Sequence, residues 1–393
     1  MSDIMNIALV GCGGMMGAHM RGLKLLWEAG LRDFRIVATC DCDKARAEKM
    51  ADDIAAWQGT KPNVYENQTE MLKKQDDIQA VDQSLVHRIH HDLAIEALDA
   101  GKHLTLEKPL AMTIRAGHAI IAAARKNNRL LQVAENYRRA PAERAINWAI
   151  ESGRIGDVRM LYWIDIGERL WYWGWRDELN QAGGGWSMDG GVHFADLFRY
   201  NVGEVKSLYC VSKAIHPFRY KKHETMEEPI PATTEDSTFA TLEFENGVTG
   251  SWISTSAAPG WGNGIRAIYG SEGCIQWGRG LKTRKEELTM EQLQEQYMAA
   301  ASGAEKARWF PGGVTDTCAS ELYEFVQACL HGGPIEITGE EGLKDEAISL
   351  ALYESAILNA PVSVRDVEMC KLEAHQAKFN KEIGVADVKP VDI

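Results

Sequence analysis

The sequence has 393 residues, 45% hydrophobic and 25% charged, which is ordinary for a globular protein, and a chain of this length favours two domains. Its formal net charge of −13 disfavours binding to nucleic acid or to anionic membranes. The first five residues carry no basic segment before an apolar core, and no run reaches the ~20 apolar residues of a membrane span. The eight cysteines are scattered along the chain. We therefore expect a cytoplasmic protein with reduced thiols and no metal.

A strand, a glycine-rich turn and a helix are predicted at the start of the chain. Residues 6–10 are an apolar run, residues 11–17 form the turn, and a helical pattern continues to about Ala29. In this order the elements favour a dinucleotide pyrophosphate, because the backbone comes close and the helix start offers free N–H groups. Met16 weakens the motif, since it stands where a third small residue is expected. The turn supplies the cofactor candidates Gly11, Gly13, Gly14, Met15 and Met16.

A second strand is predicted over residues 35–40, and Asp41 ends it. An acid at this strand end accepts hydrogen bonds from ribose hydroxyls and repels a 2′-phosphate, so the sequence predicts NAD rather than NADP. Asp43 is a second candidate, but capping the helix predicted at 44–56 is its more typical role.

Strands and helices alternate through the rest of the first 135 residues. We predict strands at 80–86, 103–107 and 130–134 and helices at 90–100 and 113–126. This alternation favours a doubly wound parallel sheet over residues 1–135, with ligands beyond the carboxyl ends of its strands. Further cofactor candidates at that edge are Val86, His87, His90, Glu107, Lys108 and Asn136.

Lys108 is the sharpest catalytic candidate of this half. It follows a predicted strand and precedes Pro109, in a stiff turn on the cofactor side of the sheet. An ammonium there can stabilise negative charge on a substrate oxygen. The alternative is that Lys108 is a solvated surface residue, as most lysines are. Its position after a strand and before a proline favours the catalytic role.

Asp189 and His193 lie four residues apart, after a glycine-rich segment and at the start of a predicted helix. On one helix they would share a face, and a carboxylate can tune the basicity of a histidine. The alternative is that Asp189 caps the helix and His193 is a half-buried structural residue. This stretch alone fits the two explanations equally well.

The second half predicts an antiparallel sheet flanked by helices. Helices are predicted at 141–152, 317–330 and 340–359, an inserted surface helix within 282–308, and strands at 157–167, 237–245 and 248–255. Asn246-Gly247 between the last two strands is a strong hairpin signal.

An aromatic segment at residues 171–176 precedes Asp189. Its indoles suit the apolar faces of sugar rings, and we take Trp175 and Arg176 as substrate-binding candidates, with Arg138 after the last strand of the first half. An aromatic core or an oligomer contact is an equally weighted alternative for the segment.

These residues together resemble the glucose–fructose oxidoreductase / inositol dehydrogenase (Gfo/Idh/MocA) family. The motifs that carry the resemblance, which runs the whole length, are Gly11-x-Gly13, residues 100–103, Glu107-Lys108-Pro109 and Asp189-x-x-x-His193. It implies a Rossmann domain at 1–135, and at 136–393 an α/β substrate and oligomerisation domain with an open, mostly antiparallel sheet. It also implies that Lys108, Asp189 and His193 contact substrate beside the nicotinamide. Departures from the family pattern are Met16, Val86 where a proline is usual, and Asp82 and Gln83 where apolar residues are common.

The expected activity is NAD-dependent oxidation of a secondary hydroxyl in a sugar, sugar derivative or cyclitol. His193 would act as the base, Lys108 would stabilise the oxygen, and Asp189 would orient His193 or bind a neighbouring hydroxyl. The alternatives are glycoside cleavage through transient oxidation and elimination, and a non-catalytic dinucleotide sensor. The resemblance also implies a homo-oligomer formed through the outer face of the second sheet.

Overall fold

The computed structural model describes residues 4–393, which form two large sheets of different design. Residues 1–3, part of the N-terminal stretch in which we expect no secretory signal, lie outside the described range. Within residues 4–393 no helix is both long and apolar enough to cross a membrane.

The first sheet has six parallel strands in the order β3-β2-β1-β4-β5-β6. This order confirms the predicted Rossmann arrangement, in which the chain reverses direction beside β1 and leaves a crevice at the carboxyl ends of the strands. Its elements are β1 (Met5–Val10), α1 (Gly14–Glu28), β2 (Phe34–Cys40), α2 (Lys44–Gln58), β3 (Asn63–Tyr65), α3 (Gln68–Lys74), β4 (Ala80–Gln83), α4 (His90–Asp99), β5 (His103–Glu107), α5 (Ile114–Lys126) and β6 (Leu131–Ala134).

The sequence analysis missed β3 and α3 and extended β4 too far. The strand predicted at residues 80–86 ends at Gln83, because the chain turns there and continues into a short 3₁₀ turn at His87–Ile89. Val86 therefore lies outside the sheet, while His87 lies in the turn and His90 begins α4.

The second sheet has nine strands in the order β16-β15-β14-β13-β7-β12-β11-β8-β17. Its neighbours are antiparallel except for β7 and β12, which confirms the mostly antiparallel expectation. Its elements begin with α6 (Pro141–Glu151), β7 (Val158–Ile166), α7 (Leu179–Ala182), α8 (Trp186–Asp189), α9 (Gly191–Asn201), β8 (Val205–Lys213), β9 (Phe218–Lys222), β10 (Glu227–Pro231), β11 (Ser237–Phe244) and β12 (Thr249–Thr255). They continue with β13 (Asn263–Gly270), β14 (Gly273–Gln276), β15 (Gly280–Thr283), β16 (Glu287–Thr289), α10 (Met290–Ala300), α11 (Gly303–Trp309), α12 (Thr317–His331), α13 (Gly339–Leu358), β17 (Val362–Ser363), α14 (Val364–Glu368) and α15 (Ala377–Glu382).

Two predicted features of this half have different outcomes. Asn246-Gly247 does join β11 to β12 as an antiparallel hairpin. The helix predicted within 282–308 begins only at Met290, since the residues before it complete the edge strands β15 and β16. A separate hairpin of β9 and β10 stands apart from the main sheet, beside the cleft described below.

The second-domain sheet turns one face to the helices and the other outward. The inward side chains include Trp163 and Trp252, each 1% exposed, and they pack with Phe194 and Phe198 of α9. Burial of these large rings stabilises the position of α9 on the sheet. Helix α9 in turn carries His193 toward the first domain.

Candidate active site

The glycine-rich turn fits a dinucleotide. Gly11 has φ +86°, and a Cβ there would lie 2.1 Å from the carbonyl oxygen of Ser84, so only glycine suits this position. A Cβ at Gly13 or Gly14 would meet open space, at the point where α1 begins with its first N–H groups free of a side-chain cap. A helix start of this kind binds a pyrophosphate.

Met16 does not obstruct this turn. Its side chain is fully buried in the core between the sheet and the helices, while Met15 beside it is half-buried. The missing third glycine is therefore compensated by packing the methionine inward, since an unbranched side chain adapts to the space between helix and strand.

Asp41 occupies the expected position at the end of β2. Its two carboxylate oxygens accept hydrogen bonds from the backbone N–H of Cys12 and of Asp43, both at 2.8 Å. It thus ties the glycine-rich turn to the next loop. Asp43 caps α2 by accepting a hydrogen bond from the N–H of Ala45 at 3.1 Å, the role favoured for it from sequence.

His87 and His90 have different roles in the turn after β4. His90 is fully buried, with its two ring nitrogens 2.9 Å from the carbonyl oxygen of Pro109 and 3.2 Å from that of Leu85. Burial lowers the pKa of His90 to about 3. It braces the turns that follow β4 and β5 and leaves no ring nitrogen for a cofactor, contrary to our expectation.

His87 faces the second domain instead. Its Nδ1 lies 2.9 Å from the carbonyl oxygen of Ala182 and its Nε2 3.4 Å from Oδ1 of Asp189, with the ring edge-on to Trp175. Val86, beside it, is half-buried. His87 therefore links the cofactor side of the sheet to the carboxylate of Asp189.

Lys108 and Asp189 form the first polar pair of the site. The Lys108 ammonium donates to the Asp189 carbonyl oxygen at 2.7 Å and lies 3.4 Å from Oδ1. Burial raises the pKa of Asp189, but Lys108, His87 and Arg176 outweigh it and hold that pKa well below its usual range. Asp189 is therefore a carboxylate at neutral pH.

His193, on α9, takes its partner from the first domain. Its Nδ1 lies 2.7 and 2.8 Å from the carboxylate oxygens of Glu135, which follows β6, and Tyr137 stacks on its ring at a centroid distance of 3.8 Å. Burial raises the pKa of Glu135, but the charges of His193 and Lys108 lower it overall. Lys108 is thus close enough for its charge to act on the Glu135–His193 pair.

The predicted pairing of the Asp189 and His193 side chains is wrong. Asp189 ends α8 and His193 lies in α9, with Gly190 between the two helices. A Cβ at Gly190 would lie 2.5 Å from the ring of Trp186, so glycine permits this close approach. The two side chains share no hydrogen bond, because Asp189 faces the cations Lys108 and Arg176 while His193 faces Glu135.

Glu235 holds the start of α8. Its half-buried carboxylate accepts hydrogen bonds from the N–H groups of Gly185 at 2.7 Å and Ser187 at 3.0 Å, and from the Tyr353 hydroxyl at 2.8 Å. Burial nevertheless raises its pKa above the usual value. Because Asp189 is the last residue of α8, Glu235 also fixes the position of Asp189.

Arg176 contacts both Asp189 and the ring of Trp175. The Arg176 guanidinium lies 3.3 Å from Oδ2 of Asp189 and 4.5 Å from the centre of the Trp175 ring. Arg176 is 35% exposed at its side chain, so it remains accessible from the cleft. These two substrate-binding candidates therefore lie beside the predicted catalytic acid.

Three further candidates lie away from the cleft. Arg138 is buried and forms a two-pronged ion pair with Asp196. Asn136 donates a hydrogen bond to the Thr317 hydroxyl, at the start of α12, at 3.1 Å. The Glu107 carboxylate lies 2.9 Å from Nε2 of His19. Each is occupied by a structural partner. We therefore withdraw Arg138 as a substrate contact, whereas the assignment of Glu107 and Asn136 to the cofactor stays a prediction.

Glu135, Tyr137 and Glu235 are the site residues that the sequence analysis missed. Glu135 could have been found, since it directly follows β6 at the edge where Lys108 follows β5. Tyr137 and Glu235 carried no such signal, because their roles depend on α8 and α9 meeting strands that are distant in sequence.

Comparison with known proteins supports the same family as the motifs. Residues 5–135 match the family model described as "Oxidoreductase family, NAD-binding Rossmann fold", and residues 148–364 match "Oxidoreductase family, C-terminal alpha/beta domain". The chain is 28% identical to a levoglucosan dehydrogenase of Pseudarthrobacter phenanthrenivorans, over 92% of this chain and 99% of that protein. It is 27% identical to inositol 2-dehydrogenase 2 of Saccharopolyspora erythraea, over 92% and 96% of the two chains.

Solved structures share the fold. An oxidoreductase domain protein from Kribbella flavida superposes with a TM-score of 0.76 at 23% identity, over 93% of this chain and all of that one. A levoglucosan dehydrogenase in complex with NADH superposes with a TM-score of 0.71 at 24% identity, over 92% and 99%. With two family models that together span most of its length, this chain belongs to the Gfo/Idh/MocA oxidoreductase family and uses NAD.

Proposed function

We propose that this protein oxidises a secondary hydroxyl of an uncharged sugar, sugar derivative or cyclitol, with NAD as the hydride acceptor. The names of its relatives support this substrate class, since they include dehydrogenases of levoglucosan, inositol and D-glucosides. The observation that carries the proposal is the approach of two separate polar pairs, Lys108–Asp189 and Glu135–His193, at the carboxyl edge of the first sheet.

His193 is the proposed base. Glu135 fixes the proton of the imidazole on Nδ1, so Nε2 keeps a lone pair for the substrate hydroxyl proton. Tyr137, stacked on the ring, restricts its rotation. The carboxylate also stabilises the imidazolium that forms when the proton arrives.

Lys108 is the proposed group that stabilises the substrate oxygen. Asp189 positions its ammonium through the backbone carbonyl and the carboxylate, while the third proton of the ammonium remains for another acceptor. Bound NAD would supply the acceptor for the hydride that leaves the carbon bearing the oxidised hydroxyl. The glycine-rich turn and Asp41 would hold its pyrophosphate and adenosine ribose.

The test is a panel of polyols, aldoses and glycosides with NAD and with NADP, followed by the absorbance of the reduced cofactor. We expect NADH to form in proportion to substrate oxidised. Glycoside cleavage without net NADH, accompanied by exchange of substrate hydrogen with solvent, would favour the elimination mechanism. Cofactor binding with no turnover on any such compound would favour a sensor.

We also propose a cytoplasmic homo-oligomer. All eight cysteines are free thiols within residues 4–393, which suits a reducing compartment. The outer face of the second sheet exposes large apolar side chains. Tyr162 of β7 and Tyr209 of β8 lie on either side of the strands β12 and β11, and Phe239 and Met160 lie next to them. Sedimentation of the wild type and of Tyr162→Lys tests this, since a charge on the face should dissociate the oligomer.

A further inference from the structure

The cleft that contains Asp189 continues well beyond it. Asp189 and Trp186 line its inner part, and Trp171 and Trp173 line its outer part, around a cavity of about 110 Å³. The cleft therefore extends from Asp189 to two indoles that the proposed reaction at Lys108 and His193 does not use.

Two neighbouring indoles form the outer wall. Trp171 is 37% and Trp173 45% exposed, their ring centres are 5.9 Å apart, and Trp173 lies 5.8 Å from Trp186 farther in. Such exposure excludes an aromatic core for these two residues. Large rings left open to solvent inside a concave site provide a surface for the apolar face of a ligand.

The wall is fixed in place before any ligand arrives. Backbone hydrogen bonds join Tyr172 to the carbonyl of Tyr220 at 2.9 Å and Tyr220 to the carbonyl of Leu170 at 2.8 Å, so the β9–β10 hairpin holds the aromatic segment. Arg219 of the same hairpin is buried and lies 3.5 Å from Asp236. A preorganised surface loses little entropy on binding.

The charges of the cleft favour an uncharged ligand. Its three arginines all face carboxylates: Arg169 lies 3.1 Å from Asp165, Arg176 is paired with Asp189, and Arg219 with Asp236. The lining contains four acidic residues against these three cations. A diphosphate or a sugar acid would have to displace an existing ion pair, whereas a neutral ring would not.

We propose that Trp171 and Trp173 bind a second, uncharged sugar ring, so that the substrate is a glycoside or disaccharide whose terminal ring is oxidised. This inference rests on the proposed function for the reacting ring. The second ring packs its apolar face on one indole and contacts the edge of the other, since the two ring planes are inclined by 65°, while the terminal ring lies against Lys108 and Asp189. The specificity of the enzyme is then set by a wall outside the catalytic residues.

The test compares neutral disaccharides with the methyl glycosides of the same terminal sugars, using NAD and the full-length protein. We expect the wild type to have a kcat/KM about tenfold or more higher for a disaccharide, a gain within reach of aromatic contacts. Trp171→Ala and Trp173→Ala should each remove much of that ratio. Trp261→Ala is the matched control, since its fully exposed indole lies outside the cleft lining, and it should keep the ratio.

A second measurement separates this inference from the proposed function. Calorimetric titration of disaccharides into the NADH complex detects the second-ring site without turnover. Binding that depends on Trp171 and Trp173 but gives no hydride transfer would support the site and contradict the dehydrogenase. Oxidation of methyl glycosides with no preference for any disaccharide, or a preference retained when both indoles are removed, would overturn the site and leave the dehydrogenase intact.

Discussion

Glu135 and His193 form a hydrogen-bonded pair across the domain boundary, with Oε2 of the carboxylate 2.7 Å from Nδ1 of the imidazole. The carboxylate follows the last strand of the first sheet, and the imidazole projects from the helix packed on the second sheet. The proposed base is therefore oriented only when both domains are correctly placed. Its alignment depends on the domain interface, in which α1 packs against α12.

We predict that Glu135→Gln lowers kcat about 10²-fold while the KM for substrate changes little. An amide cannot stabilise the imidazolium, and its NH₂ group can turn toward Nδ1 and favour the wrong tautomer. Steady-state kinetics across pH check this, with Glu340→Gln on the exposed Arg125 pair as the control. Wild-type kcat in Glu135→Gln would contradict the orienting role.

Asp41→Ala should relax the preference for NAD over NADP by about tenfold or more. The carboxylate repels a 2′-phosphate and accepts from ribose hydroxyls, so its removal lowers the penalty for NADP and weakens NAD. The ratio of kcat/KM for the two cofactors is the measurement. Asp43→Ala should cost about 1 kcal/mol of stability as a lost cap and leave the ratio unchanged. A wild type that already prefers NADP would refute this account of Asp41.

Gly11→Ala should abolish cofactor binding and destabilise the first domain. The new Cβ would lie 2.1 Å from a backbone oxygen that cannot move without disturbing the turn after β4. Gly30→Ala is a matched control, since Gly30 has the same φ of +86° but open space around its Cβ position. It should cost only about 1–2 kcal/mol for the left-handed conformation. Thermal unfolding and NAD titration of both variants distinguish the clash from the strain, and equal losses would show that the close approach is unimportant.

Glu336→Gln should destabilise the protein near neutral pH and progressively less as the pH falls. Burial raises the pKa of Glu336, but hydrogen bonds and charge from Arg144, with Arg139 and Arg138, lower it to about 2. Because the folded-state pKa is below the usual value of 4.5, its contribution is complete above that value and is lost as pH falls toward 2. The contribution is of the order of 2–3 kcal/mol. Denaturant unfolding from about pH 7 to pH 3 measures the difference from wild type, and a constant difference would exclude this origin.

Much of the first domain could be predicted from its sequence. Apolar runs alternating with helical patterns identified five of the six parallel strands, and the exception, β3 at Asn63–Tyr65, is too short to show a pattern. Asp41 could be placed because the end of β2 has a fixed relation to the glycine-rich turn. The second-domain hairpin at Asn246-Gly247 was equally predictable, since its turn chemistry is local.

The partners within the site could not be predicted in the same way. The spacing of Asp189 and His193 suggested one helix and one pair, but Gly190 separates two helices and each side chain faces an opposite charge from another element. Arg138 looked available for substrate because nothing near it in sequence revealed Asp196 as its partner. Such pairings depend on which elements meet in three dimensions.

The central claim is that Lys108 and His193 act on one substrate hydroxyl beside the nicotinamide. Rapid mixing of substrate with the NAD complex, followed by the appearance of NADH in the first turnover, tests it most directly. We predict that Lys108→Met and His193→Ala each slow this step by about 10²-fold or more and retain NAD binding, while the exposed His331→Ala matches the wild type. A wild-type rate of hydride transfer in either Lys108→Met or His193→Ala would contradict the account.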